Sequence, residues 1–249
     1  MDDAGDPEVV RHRTTTVDGL RIFYREAGDP RQPALVLLHG FPSSSVMFRD
    51  LIPRLADRFH VLALDYPGFG RSDAPPPAAF SYTFDHLAEV VDHFLEQQRL
   101  DRYSLNLQDY GGPIGFRLAL PHPERVHALV VQNAVAHERG LSDLWTVRRA
   151  FWADRASHEP AVRANFLSLE ATRQRHVGNS PHPEQIDPDT WEAEYAFLNR
   201  PGAVAFGEDV PEAEIHLLDA GHFALDEASA QIADLIRRFF AFRLGVSAR

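Results

Sequence analysis

The sequence predicts an α/β protein built on a doubly wound, mostly parallel sheet. Short apolar runs, each bounded by turn-forming residues, recur along the chain, and near-continuous apolar runs are typical of strands that are buried on both faces. Between them lie segments with helical spacing, of which Phe84 to Gln98 is the clearest because its apolar residues fall on one face. Alternation of strands with helices favours a parallel sheet covered by helices on both sides.

The predicted elements follow in chain order. An antiparallel edge hairpin is expected from residues 9–15 and 16–25, where apolar and polar residues alternate. The last helix is expected to present an inward stripe of Ile232, Leu235, Ile236, Phe239 and Phe240. The predicted buried strands are Ala34–Leu38, Val61–Leu64, Tyr103–Leu107, Ala128–Val131 and Ile215–Leu218.

The length of 249 residues fits one domain with a modest insertion. We expect residues 1–136 to form the first part of the core and residues 203–249 its C-terminal part. Residues 137–202 are rich in Arg, Glu, Trp and His and helical in pattern, which predicts an inserted helical cap. One core strand is missing from the pattern near residues 199–204.

Composition excludes several classes of function. The formal net charge is −11 and none of the 25 basic residues is Lys, which argues against nucleic acid or an anionic membrane as a partner. The chain has no Cys, so thiolate catalysis, disulfides and Cys-based metal sites are excluded. We find neither a signal peptide nor a membrane-spanning apolar run, and therefore expect a cytoplasmic location. Oligomeric state cannot be predicted from these features.

The segment Leu107 to Gly112, with the sequence L-Q-D-Y-G-G, predicts a sharp turn from a strand into a helix. Such a turn exposes one side chain at the carboxyl edge of the sheet, and here that side chain belongs to Asp109. The corresponding residue in the common nucleophile elbow is Ser, which serves acyl transfer. A carboxylate in its place can attack an electrophilic carbon and form an ester.

Two more segments are expected at the same edge of the sheet, His39-Gly-Phe-Pro42 and Gly221-His222. The backbone N–H groups of Phe41 and Tyr110 are candidates for an oxyanion hole. His222 is the candidate general base.

Other residues near these segments are expected to have structural roles. His39 would shape its loop, and Asp65 and Arg71 would form a pair that fixes another loop. The peptide bond before Pro42 is a candidate for the cis form, since such bonds occur in tight turns.

Taken together, H-G-F-P, D-Y-P-G-F-G-R-S-D (residues 65–73), Q-D-Y-G-G and G-H-F-A resemble the epoxide hydrolase and haloalkane dehalogenase branch of the α/β-hydrolase fold. The match spans roughly residues 16–135 and 203–241. The resemblance implies attack of Asp109 on a small apolar organic substrate, followed by hydrolysis of the ester by water that His222 activates. It implies no metal and no organic cofactor.

The resemblance leaves the electrophile open between an epoxide and an alkyl halide. Similar epoxide hydrolases protonate the epoxide oxygen with cap tyrosines, and the predicted cap contains one, Tyr195. Similar dehalogenases bind the halide with Trp after the nucleophile and with Asn or Trp elsewhere. In this chain Tyr110 follows Asp109 and Phe41 follows His39-Gly40, so neither halide position matches. The balance favours an epoxide, with Tyr195 and Trp145 as candidate substrate contacts; packing between cap and core is an alternative role for Trp145, Trp152 and Trp191.

The pattern lacks the acid that normally orients a catalytic His. The strand that usually precedes this acid is absent, and Asn133 occupies another position that some dehalogenases use. Glu138 and Asp143 are nearby substitutes, and Asp219 is a further acid expected at a strand end. Either residues 214–218 pair directly with residues 128–131, or a segment is absent between residues 199 and 204, which consecutive Cα separations would reveal.

Two other classes of function therefore remain. The protein could be a non-catalytic or degenerate member of this fold that binds a small ligand between cap and core. An acyl-transfer esterase is a weaker alternative, because Ser43, Ser44 and Ser45 lie near the oxyanion loop and not at the elbow.

Overall fold

Six strands form one sheet in the computed structural model, which describes residues 9–134, 150, 154, 157–158, 160, 167–198, 200 and 223–244. The strand order is β1-β2-β4-β3-β5-β6. The β1/β2 and β2/β4 pairs are antiparallel, and the other pairs are parallel. The strands are β1 (Arg11–Val17), β2 (Leu20–Ala27), β3 (Ala34–Leu38), β4 (His60–Leu64), β5 (Tyr103–Gln108) and β6 (Val126–Gln132).

The first two strands form the predicted edge hairpin, but the predicted boundary between Thr15 and Thr16 is wrong, because both residues lie inside β1. Val17 pairs with Leu20 across a two-residue turn of Asp18 and Gly19, which have φ angles of 50° and 79°. Two consecutive positive φ angles are characteristic of the tight turns that match the twist of a hairpin, and Asp-Gly is a preferred pair there.

The central strands have the composition expected of a parallel sheet. Every residue of β3, β4 and β5 is buried, which explains why β3 and β4 are apolar at nearly every position. In β5, the polar residues Ser104, Asn106 and Gln108 are buried as well. Because β3 lies between β4 and β5 and runs parallel to both, the loops that follow these three strands meet at one edge of the sheet.

Six α-helices are described. The helix α2 begins after Thr83, whose side chain accepts a hydrogen bond from the His86 N–H, and its apolar face is buried. The helix α6 is kinked at Ala228. The helices are α1 (Ile52–Leu55), α2 (Phe84–Gln97), α3 (Gly111–Ala119), α4 (Leu169–Val177), α5 (Pro188–Leu198) and α6 (Ala224–Leu244), and 3-10 turns cover Ser45–Phe48, Pro123–Arg125 and Pro183–Gln185.

Two apolar cores lie on the two faces of the sheet. One contains Val36 and Leu105 packed with residues of α2 and α3. The other contains Leu35 and Leu37 packed with α1 and with Ile236 and Phe240 of the last helix. Neighbouring residues of β3 therefore contribute to opposite cores, as expected of a strand between two layers of helices. This confirms the predicted fold class.

Several predictions fall outside the described residues: the strand at 215–218, the junction at 199–204 and most of residues 137–166. The proposed division into residues 1–136, 137–202 and 203–249 therefore stays a prediction. Within the described residues, no helix is both long and apolar enough to cross a membrane.

Candidate active site

Asp109 occupies the turn between β5 and α3. Its φ angle is +49°, a left-handed conformation that is uncommon for residues other than Gly. The backbone of Asp109 is held on both sides, because its N–H donates to the Gln132 carbonyl at 3.3 Å and its carbonyl accepts from the Gly112 N–H at 3.0 Å. Gly111 allows the turn to pass close to β3, since a Cβ there would overlap the Leu38 carbonyl. The predicted strand, sharp turn and helix are therefore present.

The loop after β3 reaches the carboxylate of Asp109. The Phe41 N–H donates a hydrogen bond to Asp109 Oδ1 at 2.8 Å. This approach requires Gly at position 40, because a Cβ there would overlap the Asp109 Cβ. The two loops meet because β3 and β5 are parallel neighbours, with Leu38 paired to Leu107 at their carboxyl ends.

Tyr110 begins α3 and forms part of an aromatic cluster beside the carboxylate. Its ring centroid lies 5.5 Å from that of Phe41 and 5.4 Å from that of Phe84, with an edge-to-face arrangement in the second pair. Edge-to-face rings at these separations attract each other. The ring of Tyr110 is thus fixed by its neighbours, while the use of its backbone N–H as an oxyanion donor stays a prediction.

His39 is a structural residue in a wholly buried position. Its Nδ1 lies 3.0 Å from the Gly40 carbonyl, and its Nε2 accepts from the Tyr66 N–H at 3.3 Å. Burial lowers the pKa of His39 to about 4, so the ring is neutral at physiological pH. Tyr66 stacks on this ring and donates its hydroxyl proton to the His39 carbonyl. Burial, together with the charges of Asp109 and Asp65, raises the pKa of Tyr66.

Asp65 fixes the loop after β4 and pairs with Arg71 as predicted, through the backbone N–H of Arg71. Asp65 Oδ1 accepts from the Ser45 N–H and Oδ2 from the Arg71 N–H, each at 2.7 Å. The Arg71 guanidinium lies over the Phe23 ring instead, 5.9 Å from its centroid. The peptide bond between Phe41 and Pro42 is cis, as predicted.

The remaining predicted site residues are only partly described. Tyr195 is half-buried on α5, directly after Glu194. Trp191 is also half-buried on α5, and its ring centroid lies 6.3 Å from that of His176. Asn133 follows β6 with a φ angle of +45°. His222, Trp145, Trp152, Glu138, Asp143 and Asp219 lie outside the described residues.

Three buried side chains, one His and two carboxylates, join three helices, and the sequence did not predict this cluster. His176 Nδ1 lies 2.9 Å from Asp226 Oδ2, and His176 Nε2 lies 2.9 Å from Glu194 Oε2. The three side chains are 0%, 3% and 1% exposed, respectively. We call these residues the His176 cluster. Within the described residues, no group of three or more His, Asp or Glu side chains has an arrangement that could hold a metal ion.

The His176 ring within this cluster is protonated and carries a positive charge. Burial alone would lower the pKa of His176, but the hydrogen bonds and charges of Asp226 and Glu194 raise it to about 9. The sequence carries one weak sign of this arrangement, because α4 lacks an apolar stripe and its buried residues are Thr172 and His176, one turn apart. A helix without an apolar face must bury polar groups when it packs.

The chain belongs to the alpha/beta hydrolase fold family, whose pattern matches residues 33–195. An uncharacterized hydrolase of Saccharomyces cerevisiae is 32% identical over 283 aligned positions, covering 92% of this chain and 97% of the yeast protein. Haloalkane dehalogenase 2 of Mycobacterium tuberculosis is 30% identical over 207 positions, covering 75% of this chain and 72% of that protein. The chain is therefore a hydrolase of this fold with dehalogenase relatives.

A solved epoxide hydrolase shares the fold. Its structure superposes with a TM-score of 0.74 at 18% identity, covering 94% of this chain and 99% of that one. The alignment with the yeast hydrolase is longer than this chain of 249 residues, so the yeast protein contains residues that have no counterpart here.

Proposed function

We propose that this hydrolase acts through a covalent ester between Asp109 and a carbon atom of a small organic substrate. The observation that carries the proposal is the 2.8 Å hydrogen bond from the Phe41 N–H to Asp109 Oδ1. The bond joins an elbow carboxylate to a backbone donor of the loop after β3, which is the loop expected to stabilise an oxyanion. Both the nucleophile and the donor lie on short turns fixed by the sheet, which favours a preorganised site.

In the first step, Asp109 Oδ2 attacks the substrate carbon, and the bond from that carbon to its leaving oxygen or halide breaks. Oδ1 becomes the carbonyl oxygen of the new ester, with the Phe41 N–H already beside it. For an epoxide, the ring oxygen takes a proton from an acid in the cap, for which Tyr195 is the candidate. For an alkyl halide, the halide leaves as an anion.

In the second step, His222 removes a proton from a water molecule, which attacks the Cγ atom of Asp109. The negative charge that develops on Oδ1 is stabilised by the N–H groups of Phe41 and Tyr110. Collapse of this tetrahedral species breaks the bond between Cγ and Oδ2, and the alcohol leaves with Oδ2 after receiving a proton from His222. The oxygen of the water molecule remains in the Asp109 carboxylate, in the place of the departed Oδ2.

An epoxide is the proposed substrate class. A leaving halide needs hydrogen-bond donors directed at it, and the Phe41 side chain offers none. A phenol such as Tyr195 can protonate an epoxide oxygen as its carbon–oxygen bond breaks. Dehalogenation is the second candidate, and it is supported by the 30% identity to haloalkane dehalogenase 2 of Mycobacterium tuberculosis.

A matched panel of terminal epoxides and bromoalkanes of equal chain length separates the two candidates. We expect diol formation to exceed bromide release with the wild-type protein, and the Asp109→Asn variant to give neither product. The variant must be assayed fresh, since deamidation would restore Asp. Bromide release in excess of diol formation would show that the substrate class is an alkyl halide and not an epoxide. Full activity of Asp109→Asn would overturn the covalent mechanism.

A further inference from the structure

The His176 cluster links the two helices α4 and α5 to the start of α6. His176 belongs to α4, Glu194 to α5 and Asp226 to the first turn of α6. The imidazole ring also stacks on the Phe223 ring, with a centroid separation of 4.0 Å and an interplanar angle of 12°. The ring therefore contacts the segment 223–226 in two ways, through a hydrogen bond and through a stacked face.

The segment 223–226 directly follows His222, the proposed base. Phe223 is covalently bonded to His222, and Asp226 lies one helical turn further along. A ring that holds both residues limits the movement of the backbone on which His222 is carried. This matters because a displacement of about 1 Å in a reacting group costs about a hundredfold in rate.

The charges around His176 require its protonated form. Glu194 and Asp226 both present acceptor oxygens, and only an imidazolium can donate from both ring nitrogens. Arg49 faces the cluster from the turn after the 3-10 segment, with Nη2 3.4 Å from Asp226 Oδ1 and 3.4 Å from Thr190 Oγ1.

The buried Glu194 carboxylate depends on its hydrogen bond to His176. Glu194 Oε1 is buried and has no hydrogen-bond partner among the described residues. If His176 lost its proton, one of the two buried carboxylates would lose the hydrogen bond that the imidazole ring donates to it. The loss of such a bond in a buried site destabilises the folded protein.

We infer that His176 is a positioning residue for the hydrolytic step, acting through Phe223 and Asp226 on the backbone next to His222. This inference rests on the proposed function. It supplies a restraint on the residue that activates water, for which the sequence pattern offers no assigned third triad member. It also separates the two steps, because the attack of Asp109 depends on the elbow and the loop after β3, and not on the segment 223–226.

The test measures the two steps separately in single-turnover experiments. A bromoalkane or an epoxide is mixed with excess protein, and mass spectrometry follows the appearance and the decay of the adduct on the peptide that contains Asp109. In the His176→Gln variant we expect adduct formation within about threefold of wild type and adduct decay at least about tenfold slower. The matched control is Arg173→Gln, which removes an exposed cation from the same helix and should change neither step.

The pH profile of the wild-type protein provides a second readout that needs no variant. We expect adduct decay to slow as the pH rises through about 9, where His176 loses its proton, while adduct formation stays unchanged. In His176→Gln this alkaline limb should be absent. Adding Glu194→Gln to His176→Gln removes one of the two facing carboxylates and should recover part of the lost rate.

The outcomes distinguish the inference from the proposed function. Equal adduct decay in wild type and His176→Gln, or an equal slowing of both steps, would overturn the positioning role while the covalent mechanism stands. If the variant fails to fold, a wild-type decay rate that does not fall above pH 9 overturns the positioning role by itself. The absence of any adduct on Asp109 in the wild-type protein would overturn the proposed function, and the positioning role with it.

Discussion

The backbone N–H of Phe41 donates a 2.8 Å hydrogen bond to Asp109 Oδ1, although 68 positions separate the two residues in the sequence. The contact exists because β3 and β5 are neighbours in the sheet while the β4 strand and α2 lie between them in the chain. Parallel strands place the loops at their carboxyl ends side by side.

The first prediction concerns the close approach at Gly40. The Gly40→Ala variant should lose at least tenfold in turnover and about 1–3 kcal/mol in the free energy of unfolding, because the new Cβ would overlap the Asp109 Cβ and force the two loops apart. Steady-state assays and thermal unfolding measure the two effects. The control is Gly19→Ala, where the new Cβ meets no atom within 4 Å but the φ angle is +79°. It should lose stability and keep its activity; equal activity in both variants would contradict the importance of the close approach.

The second prediction concerns the loop after β4. Asp65→Asn should destabilise the protein by about 1–3 kcal/mol, because an amide has one acceptor oxygen and cannot accept from both the Ser45 and the Arg71 N–H groups. Asp73→Asn is the matched control, since Asp73 Oδ2 accepts from the Arg21 N–H at 2.8 Å in an exposed position. Denaturant unfolding should show the larger loss for Asp65→Asn. Equal losses would show that burial of the Asp65 carboxylate has no special role.

The third prediction concerns the substrate. Tyr195→Phe should slow epoxide opening by about ten- to a hundredfold, the usual effect of losing a general acid, and should leave bromoalkane attack unchanged. The ratio of the two rates is the measurement, which cancels general losses in activity. Tyr82→Phe serves as the control, because the Tyr82 hydroxyl donates to the Pro75 carbonyl and should not affect the ratio. An unchanged ratio in Tyr195→Phe would remove Tyr195 as the acid.

The fourth prediction concerns stability at alkaline pH. The pKa of His176 is raised from 6.5 to about 9 in the folded protein. The contribution of protonated His176 to the free energy of unfolding is therefore complete below pH 6.5 and is lost as the pH rises through 9. The loss should be on the order of 3 kcal/mol at most. Unfolding measured between pH 6 and pH 10 should show this loss in wild type but not in His176→Gln. His93→Gln, which changes an exposed His paired with Asp18, should behave like wild type, and a loss that persists in His176→Gln would contradict the assignment.

Local patterns predicted the core of the fold well. The bounds of β3 agree with the apolar run Ala34–Leu38, and α2 ends one residue before the predicted helix. The elbow could be anticipated because a strand, two glycines and a helix follow one another within a short stretch. In each case the signal lies within a few neighbouring residues, which is where strand and helix periodicity can be detected.

The contacts that could not be predicted join distant parts of the chain. The His176 cluster brings together residues 18 and 50 positions from His176, and no local pattern marks Glu194 or Asp226 as buried. The pairing of Asp65 with Arg71 was predicted, but residue types alone do not show that the backbone N–H of Arg71 makes the contact. The third member of the triad stays unassigned, and the positions proposed for it, apart from Asn133, lie outside the described residues.

The most direct test of the account is the fate of Asp109 in the His222→Gln variant. If Asp109 is the nucleophile and His222 activates water, the variant should form the ester but fail to hydrolyse it. After brief exposure to substrate, intact-protein mass spectrometry should show an increase equal to the substrate-derived group, and peptide mapping should place it on Asp109. The Asp109→Asn variant should show no increase. Full turnover by His222→Gln, or an adduct on another residue, would contradict the account.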